Sequence, residues 1–271
     1  MLKLLAFALI VLSGPVVQAA DYNVLVPMES KDRFIFSSKS ILRGIHLAKA
    51  KLDKTNQIKI KYIQFSESIN DVYTTVESQI KQQRPDLIIG GITSKVAFVI
   101  SDLAEKYKIP YISPYATHAK LTLDKQYTFR ACFSDTAQAK AIATFIEQKM
   151  KTKRLAIISS KESIYAKGIS DSLSRFLSPK IKSRIIISTS DNGTLNADHL
   201  KTLEEFSPDS IFLPFYQVEA AAILGVLSKI FPKAVFIGPD AWAGGQLFHD
   251  ILKSQKRGKT RAYMVKHYHQ G

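Results

Sequence analysis

Residues 85–122 read PDLIIGGITSKVAFVISDLAEKYKIPYISPYATHAKLT. A short apolar run at 87–90 leads into a loop at 91–95, a helix-period segment, a second apolar run at 109–113 and a second loop at 114–118. Short apolar runs bounded by Gly and Pro read as buried strands, and recurrence at i, i+3, i+4 between them reads as a helix. In an open parallel sheet, loops that follow successive strands emerge at one edge, and ligands bind in the crevice there. Thr93 and Ser94 in the first loop, and Ala116 and Thr117 in the second, are therefore expected to be neighbours in space.

Upstream, Val24, Leu25 and Val26 form an apolar run closed by Pro27, a buried first strand. A polar, aromatic loop over 29–38 then precedes a helix over 41–52, with Ser40 placed to cap it. Residues 58–65 alternate as a half-exposed strand, and 70–82 carry Val72, Val76 and Ile80 on one helical side. After the opening stretch come a strand at 127–131 and a helix at 136–150. The alternation then restarts, with strands at 155–159, 184–188, 211–213 and 235–237 and helices at 167–176, 196–205, 218–231 and 245–252. This order predicts an α/β protein of two Rossmann-like lobes with parallel sheets, lobe 1 over 20–135 and lobe 2 over 136–259.

The two halves also echo each other. Pro85-Asp86-Leu87-Ile88-Ile89 pairs with Pro208-Asp209-Ser210-Ile211-Phe212, and Ile112-Ser113-Pro114-Tyr115-Ala116 pairs with Ile237-Gly238-Pro239-Asp240-Ala241. The Pro-to-Pro gaps, 29 and 31 residues, nearly agree. Lobes built alike and facing each other set the loop at 114–117 against the loop at 239–242 across a ligand cleft, a favoured place for a small molecule.

Composition bounds the partners. The chain has 271 residues, 46% of them hydrophobic, enough for two modest domains. Residues 1–19 combine Lys3, the apolar run 4–12, a Gly14-Pro15 break and small residues before the expected cut, the pattern of a secretory signal. Cleavage is expected after Ala19 or, second, Ala20, and the periplasm is the expected location. One cysteine, Cys132, excludes an intrachain disulfide, and its plain reading is a small buried hydrophobe. The formal charge of +15 falls to +14 without Lys3, and the basic residues are spread at helical surface spacings, densest over 253–261. That distribution argues for attraction to anionic envelope surfaces and against specific nucleic-acid binding.

Catalytic constellations are absent from the sequence. It contains no GxSxG, Walker loop, GxGxxG or HExxH, and His46, His118, His199 and His249 are scattered singly. His267 and His269 lack partners that would complete a metal set, so they read as a solvated tail. No enzyme activity, cofactor or metal is expected.

A binding pocket fits better. Ser94 and Thr117 offer hydroxyls and backbone N–H groups suited to a carboxylate. Ser94 also stands where it would cap a helix, and the two roles are compatible. Asp240 follows a strand and a proline, where it would meet an ammonium or, more plainly, cap a short helix. Tyr216 ends a strand in the same lobe, as an aromatic wall or as ordinary rim packing.

The order IIGG-TS, KIPYISPYATHAKLT, YTFR, LPFYQVEAA and FIGPDAW resembles the leucine/isoleucine/valine-binding family of periplasmic solute-binding proteins, over nearly the whole chain from the first strand to Tyr263. The resemblance implies the type I periplasmic-binding fold and a non-enzymatic role: capture of a small amino-acid-like ligand for an inner-membrane ABC permease. It implies that Ser94, Tyr115 and Thr117, with Thr93 and Ala116 beside them, hold the ligand's carboxylate. Tyr216 and Asp240 match the aromatic and acidic positions of the second lobe, where the family commonly has Glu. Tyr165-Ala166-Lys167-Gly168 resembles the family's YGxG-type helix start. Tyr115 stands where a small residue is usual, which narrows the pocket or offers a stacking face. The family commonly continues through a returning helix region, so residues 260–271 are expected to begin a crossover toward lobe 1 in a chain shortened at its C-terminus. On the same fold, a ligand-sensing or scaffold role in the envelope and a truncated non-binding member stand as alternatives.

Overall fold

The apolar runs of the sequence become two five-stranded sheets, laid down one after the other, in a computed structural model that describes residues 21–30, 35–55, 57–66, 68–178, 181, 183–190, 193–243, 250, 253 and 260–266. The first sheet contains β1 (Tyr22–Glu29), β2 (Ile58–Phe65), β3 (Leu87–Ile89), β4 (Tyr111–Ser113) and β5 (Thr128–Arg130). The second contains β6 (Arg154–Ser160), β7 (Ser183–Thr189), β8 (Ser210–Phe212), β9 (Val235–Gly238) and β10 (Arg261–Met264). Every pairing is parallel. The spatial orders are β2-β1-β3-β4-β5 and, from the matching edge, β7-β6-β8-β9-β10. These are one topology used twice. The echoed motifs hold equivalent places: Leu87–Ile89 and Ser210–Phe212 are each the third strand to form and lie beside the first.

Helices cover both faces of each sheet, as buried parallel strands require. In the first lobe these are α1 (Ile35–Leu52), α2 (Ile69–Gln83) and α3 (Ser94–Tyr107). Val72, Val76 and Ile80 of α2 and Val96, Ile100 and Leu103 of α3 pack with Leu25, Ile88 and Tyr111 on one face. Ile41, Leu42 and Ile45 of α1 pack with Val24, Val26 and Met28 on the other. Glu77 of α2 bonds Lys106 and Tyr107 of α3, and with Lys81 these partners hold its carboxyl down at about 2. The second lobe has α4 (Asp135–Phe145), continued by a π-helical turn (Ile146–Met150), then α5 (Ile164–Phe176), α6 (Ala197–Phe206) and α7 (Gln217–Ile230). Its faces are filled by Leu203, Leu213, Ile223, Leu227 and Trp242 on one side and Ile142, Ile146, Ile157, Ile169 and Leu173 on the other.

Three differences from the sequence reading have physical causes. First, β1 continues through Pro27 to Glu29, where a loop was expected. Pro27 lies past the registered β1–β3 pairing of Val24 and Leu25, and its carbonyl still accepts the Gly91 N–H at 2.9 Å. Second, α1 begins at Ile35, so Ser40 is inside the helix and does not cap it. Third, Arg261–Met264 pair with Val235–Gly238 as the fifth strand of the second sheet, where a crossover was expected. The expected signal segment, most of the 245–252 helix and of the 253–261 basic cluster, and His249, His267 and His269 lie outside the described residues. Among the described residues no helix is long and apolar enough to cross a membrane.

Candidate functional site

In a 2-1-3-4-5 sheet the winding direction reverses between the first and third strands, and a crevice opens beyond their carboxyl ends. In the first lobe this is the turn from β3 into α3. Gly91 has a φ of +71°, a left-handed conformation that glycine adopts without strain, and it swings the chain toward the helix. Thr93 is the N-cap of α3, its hydroxyl accepting the Val96 N–H at 3.3 Å. The expected cap thus falls on Thr93, and Ser94 is the first helical residue. Glu29, at the end of β1, turns inward against the same loop. Its carboxylate accepts the Ile92 N–H at 3.0 and 2.9 Å and the Thr93 N–H at 2.8 Å. The side chain is buried, which pushes its pKa up against the opposing pull of those N–H groups.

The loop after β4 supplies Tyr115, Ala116 and Thr117. The Ala116 N–H donates to the Ser113 hydroxyl at 3.3 Å, and Arg130 on β5 donates to the carbonyls of Thr117 at 3.4 Å and His118 at 2.8 Å. Burial raises the pKa of the Tyr115 phenol, with the Asp240 charge adding to it. Cys132 is half-buried, its thiol directed at the Ala116 carbonyl and pushed up to about 12, chiefly by burial. That leaves it a packing group with no thiolate character.

The second lobe answers with Tyr165 from the start of α5, Tyr216 from the end of the β8 loop, and Asp240 from the turn after β9. Asp240 is 3% exposed. Its Oδ1 accepts from Gln138 Nε2 at 2.9 Å and from the Tyr165 hydroxyl at 3.1 Å, while its own N–H donates to Gln138 Oε1 at 2.6 Å. Gln138 therefore grips both backbone and side chain of Asp240 and fixes the carboxylate. The Tyr165 and Tyr216 rings stack at 5.1 Å and 24°. The Tyr216 phenol receives the Ser94 N–H, a bond from one lobe to the other.

These groups converge on one cavity, lined by Ile92, Ser94, Tyr115, Ala116, Thr117, Tyr165, Tyr216, Asp240 and Ala241. The enclosed space between the lobes is small, with room for about one water molecule. Seven of the eight residues singled out from the sequence line it. Thr93 does not; it holds the helix that carries Ser94. Ile92 and Ala241 were missed, as sequence neighbours of chosen positions with no polar atom to mark them.

Two further features were not legible. Asp135, the first residue of α4, is 0% exposed, and neither carboxylate oxygen has a hydrogen bond of ordinary geometry among the described residues, although the Thr117 hydroxyl lies beside it. Burial raises its pKa to about 7, and the Asp240 charge adds to the rise. His118, next to Thr117, lies against α5: a Cβ added at Gly168 would come within 2.6 Å of its ring. Burial pushes the His118 pKa down, and its Nδ1 accepts the Lys120 N–H at 3.2 Å, which favours the neutral ring.

Comparison with known proteins agrees with this arrangement. The family described as "Receptor family ligand binding region" matches residues 37–253. A Leu/Ile/Val-binding protein, BraC3, from Rhizobium johnstonii is 25% identical over 189 residues, 65% of this chain and 51% of that protein. The chain thus spans about half the length of this curated relative. The leucine-binding protein LivK of Thermotoga maritima superposes with a TM-score of 0.74 at 18% identity, over 84% of this chain and 66% of that one. The branched-chain amino acid transporter substrate-binding protein LivJ of Streptococcus pneumoniae, solved with isoleucine, gives 0.73 at 21% identity, over 84% and 67%. The doubled 2-1-3-4-5 sheet, the interlobe cavity and the family match over 37–253 lead to one conclusion: the chain belongs to the receptor family ligand binding region and has the type I periplasmic-binding fold.

Proposed function

We propose that the protein is an exported solute-binding protein that captures a small amino-acid-like molecule between its lobes and delivers it to an ABC-type importer of the inner membrane. The observation that carries this reading is the convergence of Ser94, Tyr115 and Thr117 from one lobe and Tyr165, Tyr216 and Asp240 from the other on a single cavity. A ligand bridging the two sets stabilises the closed arrangement of the lobes, the general logic of hinged binding proteins. Ser94 and Thr117 meet the ligand's oxygen-bearing end. Asp240, fixed by Gln138 and Tyr165, meets its amine, and the stacked tyrosines form the wall. The periplasm is the location that goes with this role.

A thermal-shift screen over amino acids, amides and short carboxylates, followed by calorimetry on the hits, tests the reading. Asp240→Ala should weaken an amine ligand by about 2–5 kcal/mol, because it leaves the ammonium buried without its partner. Unchanged affinity would remove Asp240 from the site.

A further inference from the structure

The N-terminus of α3 offers the anion-binding geometry expected of the site, yet its donors are already engaged within the protein. The Ile92 and Thr93 N–H groups donate to Glu29, the Ser94 N–H to the Tyr216 phenol, and the neighbouring Ala116 N–H to Ser113. A carboxylate of the chain itself thus already occupies the Ile92 and Thr93 donors behind this end of the cavity. Asp240 lines the opposite side, and Asp135 is buried beside Thr117 with neither oxygen in an ordinary hydrogen bond among the described residues. None of the nine lining residues is Lys, Arg or His. Arg130 on β5 directs its guanidinium to the Thr117 and His118 carbonyls. A ligand carboxylate entering at Ser94 and Thr117 would lie on the same side of the cavity as Glu29, with no positive side chain among the described lining residues to separate them. An ammonium meets Asp240 in the lining, with Glu29 behind the Ile92–Thr93 backbone on the other side.

Building on the proposed function, we propose that the cavity selects a small organic cation whose oxygen end is uncharged: a primary amine bearing an amide or hydroxyl in place of the amino acid's carboxylate. The Ser94 and Thr117 hydroxyls suit that end as donors and acceptors to a neutral group. Glu29 acts as a specificity-determining residue that excludes the zwitterion by like-charge repulsion, an element of rejection added to the attraction at Asp240.

Matched ligands separate charge from shape. Calorimetric titration of the purified full chain with L-alaninamide against L-alanine, and L-leucinamide against L-leucine, compares molecules that differ mainly at the carboxyl. The amide of at least one pair should bind more tightly than its amino acid by on the order of tenfold, the usual effect of a neighbouring like charge on a carboxylate. Glu29→Gln should shrink that ratio by improving the amino acid, with thermal unfolding checking that the variant is folded. An amino acid that binds as well as its amide in the wild type would overturn the inference while leaving solute capture standing. Failure of both members of both pairs would also overturn it, and the wider screen then decides separately whether the cleft binds any solute. A ratio unaltered in folded Glu29→Gln would remove Glu29 from the selection.

Discussion

At the scale of single residues, Asp135 is the group with the most to reveal. Its carboxyl is buried, without ordinary hydrogen bonds among the described residues, and pushed up to about 7 by that burial and by the Asp240 charge. An unfolded chain returns it to the ordinary aspartate range near 3.8. Between those values the folded protein holds a proton that the unfolded chain has lost, so stability falls as pH rises through this window. Above the folded value the buried carboxylate costs on the order of a few kcal/mol. Asp135→Asn should therefore stabilise the protein at pH 8 and change it little at pH 4, as read by thermal unfolding at the two values. An equal effect at both would mean that the carboxyl does not change its protonation on unfolding. Much of the lining of the candidate cavity was legible in the sequence, because Ser94, Tyr115, Thr117, Tyr216 and Asp240 follow apolar runs and so fall at the carboxyl edge of a parallel sheet. Glu29 was hidden by Pro27, which made the strand seem to end early. Asp135 and Gln138 were hidden because an acid in the first turn of a helix is ordinary complementation of the helix dipole. Their importance comes from Asp240, more than 100 residues away in sequence.

At the scale of elements, the join between α5 and the loop after β4 decides how closely the lobes meet. The His118 ring occupies the space that a side chain at position 168 would need. Gly168→Ala inserts a methyl there, and overpacking of this kind costs about 1–3 kcal/mol. The expected result is weaker ligand affinity, largely recovered by adding His118→Ala, as measured by titrating the two single variants and the double one. Loss without recovery would place the effect inside α5 and not between lobes. Element identity was legible almost throughout, because βαβ periodicity depends on burial, which the apolar pattern records. Boundaries were less so. Thr93, not Ser94, caps α3 because the Gly91 turn brings its extended backbone to the N-cap position. Residues 261–264 were assigned away from the second sheet because a short exposed-buried alternation resembles a linker until its partner, β9, is in place.

For the whole molecule, the internal echo was the most informative signal. Two Pro-Asp strands and two Pro-loop motifs at nearly equal spacing became two sheets of identical strand order. The echo set the loop that holds Tyr115 opposite the one that holds Asp240, and both now line one cavity. What sequence could not convey was how nearly the lobes approach. The Tyr216–Ser94 bond and the His118–Gly168 packing leave only a small space between them. The central claim is that one small molecule is held by both lobes together. Native mass spectrometry of the purified protein tests it most directly, comparing the wild type with Thr117→Val in the first lobe and Asp240→Asn in the second. The account predicts a single small adduct on the wild type, depleted in each variant. An adduct retained in full by both variants, or a bare wild type that also fails to respond to every ligand in the thermal screen, would contradict it.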